Sequence, residues 1–271
     1  MWTRRQFHQL AWTAGCGCLL GCRSTPVTNR NQLMLIQEDQ ELTLGKQSYE
    51  EATAEVPRSQ NAAATQQVMQ VGQRIAAVAN RPDYQWEFRV LATAEQNAFA
   101  LPGGKVAVHE GILPVCLTEA GLAVVMSHEI AHALARHGGE RMSQGMAVNG
   151  VKQLGQYVMR QQPTTRQDQL LQAYGVVSKY AYVLPYSRRH ESEADHIGLM
   201  LMARAGYNPE EAPRFWQRFA ALNNAATPEF LSTHPASETR VQQLTNLLPE
   251  AQKLYVESPQ QVNLGQTLVL S

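Results

Sequence analysis

The stretch from Leu117 to Arg136 constrains this chain more than any other. It is dense in Ala, Leu, Val, Met and Ile, and Gly138-Gly139 follow it as a stop signal, so the sequence predicts a helix there. Inside that helix stands His128-Glu129-Ile130-Ala131-His132. Residues four apart on a helix lie one turn above each other on one face, so both imidazoles can reach a single ion. Glu129 projects beside the pair, placed to take a proton from a water that the ion acidifies and to return it to a departing amine. Five residues can also match by accident on a core helix, so the pattern calls for another ligand elsewhere in the chain.

Glu191-Ser192-Glu193-Ala194-Asp195 supplies one, 59 residues after His132 and inside a second helix predicted over Arg188–Ala205. Glu191 and Asp195 again share one face, so Glu191 can ligate zinc while Asp195 accepts the outer N–H of a ligand histidine. The plainer alternative is an exposed charged face, and Glu193 in particular is expected to point away and be solvated. His137 and His196 lie off the metal-facing stripe and are expected to be polar surface or packing groups. His190 is adjacent to Glu191 and so faces another direction.

The rest of the chain frames these two helices. Glu38 to Asn80 reads as two helical segments separated at Pro57. Trp86–Leu91 alternates and is rich in aromatic and β-branched residues, a strand. Phe99–Leu101, the turn Pro102-Gly103-Gly104 and Lys105–His109 read as strand, turn and strand. Arg141–Arg160, Gln167–Val183, Glu210–Leu222 and Glu238–Leu248 are further helices; the tail from Val256 to Ser271 is left as strand or disorder. The class is α+β, mainly helical with a small sheet, and no repeat or linker divides it. Lys+Arg and Asp+Glu balance at 23 each, so no global field draws nucleic acid, which is not an expected partner. The region 151–184 is too polar for a membrane span.

Residues 1–21 carry Arg4 and Arg5, an apolar stretch from Leu10 to Leu20, and Leu19-Leu20-Gly21-Cys22 at the end. They read as a signal peptide, with a twin-arginine-like Arg pair, and the last four residues resemble the lipobox of bacterial lipoproteins, which would attach a lipid at Cys22. A plain signal peptide cut elsewhere and a buried N-terminal helix are the alternatives. Residues 22–37 then form a tether, 38–250 the folded domain and 251–271 a C-terminal tail. Cys116, the one cysteine outside this leader region, is expected to be a packed apolar side chain.

His128–Arg136, Ser187–Asp195 and Ser232-Thr233-His234-Pro235 together resemble the three signature blocks of the gluzincin family that contains HtpX, the Oma-type mitochondrial proteases and the CAAX prenyl endopeptidases. The chain is most similar to its BepA/LoiP-like periplasmic branch. The resemblance implies a zincin-like metallopeptidase domain with one Zn2+ per chain. It also implies that Asn97, Ala98, Phe99 and Ala100 lie on an edge strand that holds an extended substrate, although an ordinary hairpin fits the same residues. For His234 it implies a fourth ligand that keeps the site latent; steadying an oxyanion and packing in its loop remain open. Arg240 falls at a basic position suited to a salt bridge. His109 and His190 depart from the family's usual residues. The expectation is a zinc metalloendopeptidase of unfolded or misassembled cell-envelope proteins, held by its lipid on the periplasmic face of an outer membrane. An assembly factor or chaperone-like binding protein with a latent zinc site is the rival.

Overall fold

The computed structural model describes residues 22–158, 187–221, 230, 234 and 237–269. The leader of residues 1–21 and the helix expected over 167–183 lie outside them. Among the described residues the fold is α+β, as expected, and no helix is long and apolar enough to cross a membrane.

Two short antiparallel strands come first, β1 (Cys22–Ser24) and β2 (Asn31–Leu33). They replace the tether expected over 22–37 with a hairpin whose turn places Val27 and Asn29 at φ of 64° and 52°. Helices α1 (Glu38–Ala54) and α2 (Ala62–Val78) follow, the second capped by Asn61, whose side chain accepts from the Ala64 amide. A mixed three-stranded sheet comes next: β3 (Glu87–Leu91), β4 (Ala98–Leu101) and β5 (Lys105–His109), in the order β3–β5–β4. β3 and β5 run parallel, and β4 pairs antiparallel with β5 through a tight turn in which Gly103 and Gly104 take φ of 91° and 82°. β4 is thus an edge strand of the sheet.

The metal-pattern helix α3 (Glu119–Leu134) is buried along its whole length, with apolar residues on every side except where His128, Glu129 and His132 meet the site. Thr118 caps it by accepting from the Gly121 amide. Two further first-turn amides, of Glu119 and Ala120, donate to the carbonyls of Gln266 and Leu264, so the end of the chain straps across the helix N-terminus. The tail is therefore anchored to the domain, with Leu268 buried and Val262 and Leu264 partly buried against the core. Arg136, at φ 57°, ends α3 and turns the chain into α4 (His137–Val158). The stop is one left-handed arginine, and Gly138-Gly139 lie in the first turn of the following helix.

Helices α5 (Arg188–Arg204), α6 (Glu211–Ala221) and α7 (Glu238–Glu257) complete the fold. α7 runs beyond the expected end at Leu248 and through Pro249, because Ala251, Leu254 and Tyr255 beyond it pack on the core. α5 lies directly against α3. A Cβ on Gly198 would stand 3.0 Å from the His128 amide nitrogen and 3.1 Å from its Cα, so the crossing is close enough that any larger residue would push the two backbones apart by a few tenths of an ångström. That approach brings the start of α5 against the two histidines of α3.

Candidate active site

Three segments deliver the site. α3 presents His128, Glu129 and His132; α5, begun by Ser187 accepting from the His190 amide, presents Glu191 and Asp195; and His234 comes from the chain ahead of α7. All six side chains are buried. One ligand atom each from His128, His132, Glu191 and His234 lies within 4.8 Å of every other. His128 Nε2 is 3.1 Å from His132 Nε2 and 3.2 Å from His234 Nδ1. The Glu191 oxygens stand 3.4 Å from His128 Nε2, 3.4 Å from His132 Nε2 and 3.0 Å from His234 Nδ1.

These separations test the fit to a metal. A tetrahedral ion with bonds of about 2.0–2.1 Å sets its ligand atoms about 3.3–3.4 Å apart. The observed edges are near that value, and the donors, imidazole nitrogens with one carboxylate, are those that zinc prefers. His128, His132 and Glu191 converge as the sequence predicted, and His234 joins them.

Around this ring each group is held from behind. His128 Nδ1 lies 3.0 Å from Asp195 Oδ1, the outer N–H contact expected of that residue. Asp195 is gripped by Arg240, whose Nε and Nη2 donate to its two oxygens at 2.5 and 2.7 Å. The Arg240 guanidinium sits 3.4 Å over the Trp216 ring and 3.2 Å from Glu191 Oε2. Ser237 fixes its place by capping α7 through the Arg240 amide. Trp216 and Phe230, stacked with centroids 5.8 Å apart, pack edge-on to the His128 ring. Neither aromatic ring stood out in the sequence, since the His128 ring that both face is more than eighty residues away in the chain.

The charges follow from these contacts. Burial opposes ionisation of Glu191, but His234, His128 and His132 hold its carboxylate well below the usual range. Burial likewise opposes Asp195, and Arg240 and His128 keep it ionised. Glu129 has fewer compensating partners: burial pushes it up to about 7, with the Glu191 charge adding to the rise. Its Oε1 accepts no hydrogen bond from the described residues and lies 3.4 Å from His234 Nε2. This is a carboxylate free to exchange a proton near neutrality.

One expectation needs correction here. Glu193 is not solvated: it is buried, accepting from Thr25, Thr28, Arg30 and His137. His137 is fully buried, 2.9 Å from His132 Nδ1, and burial lowers it to about 4, so the ring is neutral. Sequence spacing missed the burial of Glu193 because the face it meets comes from the N-terminal hairpin. His190 contacts Glu140 and His196 stands 3.9 Å from Glu250, so neither enters the ligand ring. His109 pairs with Thr93 and Glu95 away from the metal ligands. Cys116 is buried, as expected. Asn97, Ala98 and Phe99 are buried and Ala100 half-buried, all beside or on edge strand β4, which packs along α3.

Comparison with known proteins bears on the same residues. The model of peptidase family M48 matches residues 62–248, a span that contains the HExxH helix, Glu191 and His234. The chain belongs to peptidase family M48. Within it, the mitochondrial metalloendopeptidase OMA1 of Schizosaccharomyces pombe is 37% identical over 84% of this chain and 66% of its own length. The protein of the same name from Saccharomyces cerevisiae is 32% identical over 86% of this chain and 71% of its own. The beta-barrel assembly-enhancing protease of Escherichia coli is 26% identical over 85% of this chain, which spans about half (48%) of that relative. The M48 membership and these relatives agree with the metalloendopeptidase expected from the sequence. They correct the expected location: the two OMA1 relatives, both above 30% identity, are mitochondrial, which is at odds with an outer-membrane lipoprotein facing the periplasm. A basic, short apolar leader does not specify which membrane machinery reads it. The lipid at Cys22 belonged to that placement; Cys22 itself is the first residue of β1.

Proposed function

We propose that this chain is a zinc-dependent endopeptidase that cleaves unfolded or misassembled protein segments, a quality-control role. The observation that carries it is the buried convergence of His128, His132 and Glu191 with Glu129 alongside. Bound zinc supplies a Lewis acid that polarises a peptide carbonyl and acidifies water. His128 and His132, through Nε2, and Glu191, through its carboxylate, would hold that ion. Asp195 holds the outer N–H of His128 and so fixes its tautomer. Glu129, near 7, is matched to accept a proton at neutral pH and to deliver it to the departing amine. β4 has β5 on one side and no strand on the other among the described residues. Its edge at Asn97–Ala100 suits an extended peptide bound through main-chain groups, which favours unfolded substrates over any particular sequence.

A second reading has its own observation. His234 completes a four-ligand ring, and such rings leave no position for a reacting water. That arrangement fits a latent state, or a binding protein that never hydrolyses. Zinc content and casein cleavage of the purified protein, its Glu129→Gln variant and its His234→Ala variant decide among these. The proposal expects one zinc per chain, loss of cleavage by about a hundred- to ten-thousand-fold in Glu129→Gln with zinc retained, and severalfold faster cleavage in His234→Ala. No cleavage by wild type or by His234→Ala would leave the binding-protein reading.

A further inference from the structure

A second polar cluster is buried behind the ligand ring, and it leads back to the N-terminal hairpin. Arg30, in the loop between β1 and β2, donates from Nε to Glu193 Oε2 at 2.6 Å. Its Nη1 and Nη2 donate to the two oxygens of Glu140 at 2.8 and 2.6 Å. The hydroxyls of Thr25 and Thr28, from the same loop, both donate to Glu193 Oε1. Glu193 Oε2 in turn accepts from His137 Nε2 at 3.0 Å, and His137 Nδ1 lies 2.9 Å from His132 Nδ1. One guanidinium thus ties the start of α4, through Glu140, to the start of α5, through Glu193.

The proton positions along this line follow from the geometry. His132 turns Nε2 toward His128 and Glu191, so its Nδ1 carries the hydrogen and donates to His137 Nδ1. His137, accepting at Nδ1, carries its own hydrogen on Nε2 and donates it to Glu193. A carboxylate so deeply buried needs its remaining lone pairs met, and Arg30, Thr25 and Thr28 meet them. His128 is oriented by one carboxylate, Asp195, backed by Arg240; His132 is oriented by the sequence ring, carboxylate, arginine.

We propose that Arg30 is a positioning residue of the metal centre: the hairpin of residues 22–33, acting through Glu193 and His137, sets the orientation and tautomer of His132. The proposal rests on the reading of the ring as a metal site. It makes the segment preceding α1 part of the catalytic apparatus, although the family match begins only at residue 62. Removing or displacing that hairpin loosens the metal without touching a ligand.

The test uses the whole chain with Arg30→Met, Arg30→Lys, His137→Phe and the double variant Arg30→Met/His137→Phe. Zinc affinity is read by competition with a chromophoric chelator, ligand geometry by the visible spectrum of the cobalt-substituted protein, turnover by casein cleavage, and folding by circular dichroism. Arg30→Met and His137→Phe should each weaken zinc by about 10- to 100-fold, alter the cobalt spectrum, and lower kcat with KM little changed. Arg30→Lys should recover part of the loss. Because the two residues act in series, the double variant should be no weaker than His137→Phe alone. Wild-type zinc affinity and cobalt spectrum in Arg30→Met, or losses that multiply in the double variant, overturn the proposal. Should Arg30→Met not fold, Arg30→Lys and His137→Phe decide it by the same readings. Failure of the wild type to bind zinc would sink the metal reading itself, whereas wild-type binding with unaltered variants sinks this inference alone.

Discussion

His128 is held from both ends, by the ligand ring at Nε2 and by Asp195 at Nδ1. The strength of that hold comes from Asp195's charge as well as its shape, since Arg240 keeps it ionised in a buried place. Asp195→Asn preserves the shape and removes the charge. It should weaken zinc by about 10- to 100-fold, with circular dichroism unchanged, when measured by chelator competition. At this scale much was legible. His128 and His132 could be read because four-residue spacing on a helix is local geometry, and Glu191 with Asp195 could be read for the same reason. Glu193 could not, since whether that face of α5 meets water or protein depends on a loop 163 residues away. The position of His137 depends on the same loop at one remove: its neighbour His132 is local, but its other partner is Glu193.

The crossing of α3 and α5 places Glu191 against the two histidines, and Gly198 permits it. Gly198→Ala puts a methyl group into the backbone of α3 at His128, where no flexible side chain can yield. The expected result is a destabilisation of about 1–3 kcal/mol in urea denaturation, together with weaker zinc binding, because the helices must part at the site. A helix-forming substitution that lowers stability is the mark of a packing glycine, since propensity alone would favour alanine. The elements themselves were largely foreseeable from periodicity and turn residues. What escaped was the manner in which helices end. α3 stops at a left-handed Arg136 where Gly138-Gly139 suggested the boundary, and α7 continues through Pro249 because apolar residues beyond it find the core. Tertiary packing overrode local preference in both places.

Across the whole molecule, the two ends of the described chain converge on the catalytic helices. The hairpin at residues 22–33 buttresses His132, and residues 264–266 receive the first amides of α3. Neither arrangement could be read from the sequence, because both join segments more than a hundred residues apart with no periodic signature. Deleting residues 259–271 frees the Glu119 and Ala120 amides and exposes the packing around Leu268. It should cost about 2 kcal/mol, lowering Tm by about 4–8 °C in a calorimetric scan, while the ligands stay in place. The location, too, was a whole-molecule property, and the relatives corrected it where the leader could not.

The proposed function depends on one divalent ion held between α3 and α5. Anomalous diffraction at the zinc edge from crystals of the zinc-loaded protein locates that ion directly. The account predicts a single strong peak about 2.0–2.2 Å from His128 Nε2, His132 Nε2 and a Glu191 oxygen, with Glu129 beside it and outside bonding distance. A peak bound elsewhere, or a Glu191 carboxylate turned away from the two imidazoles around the ion, would contradict it.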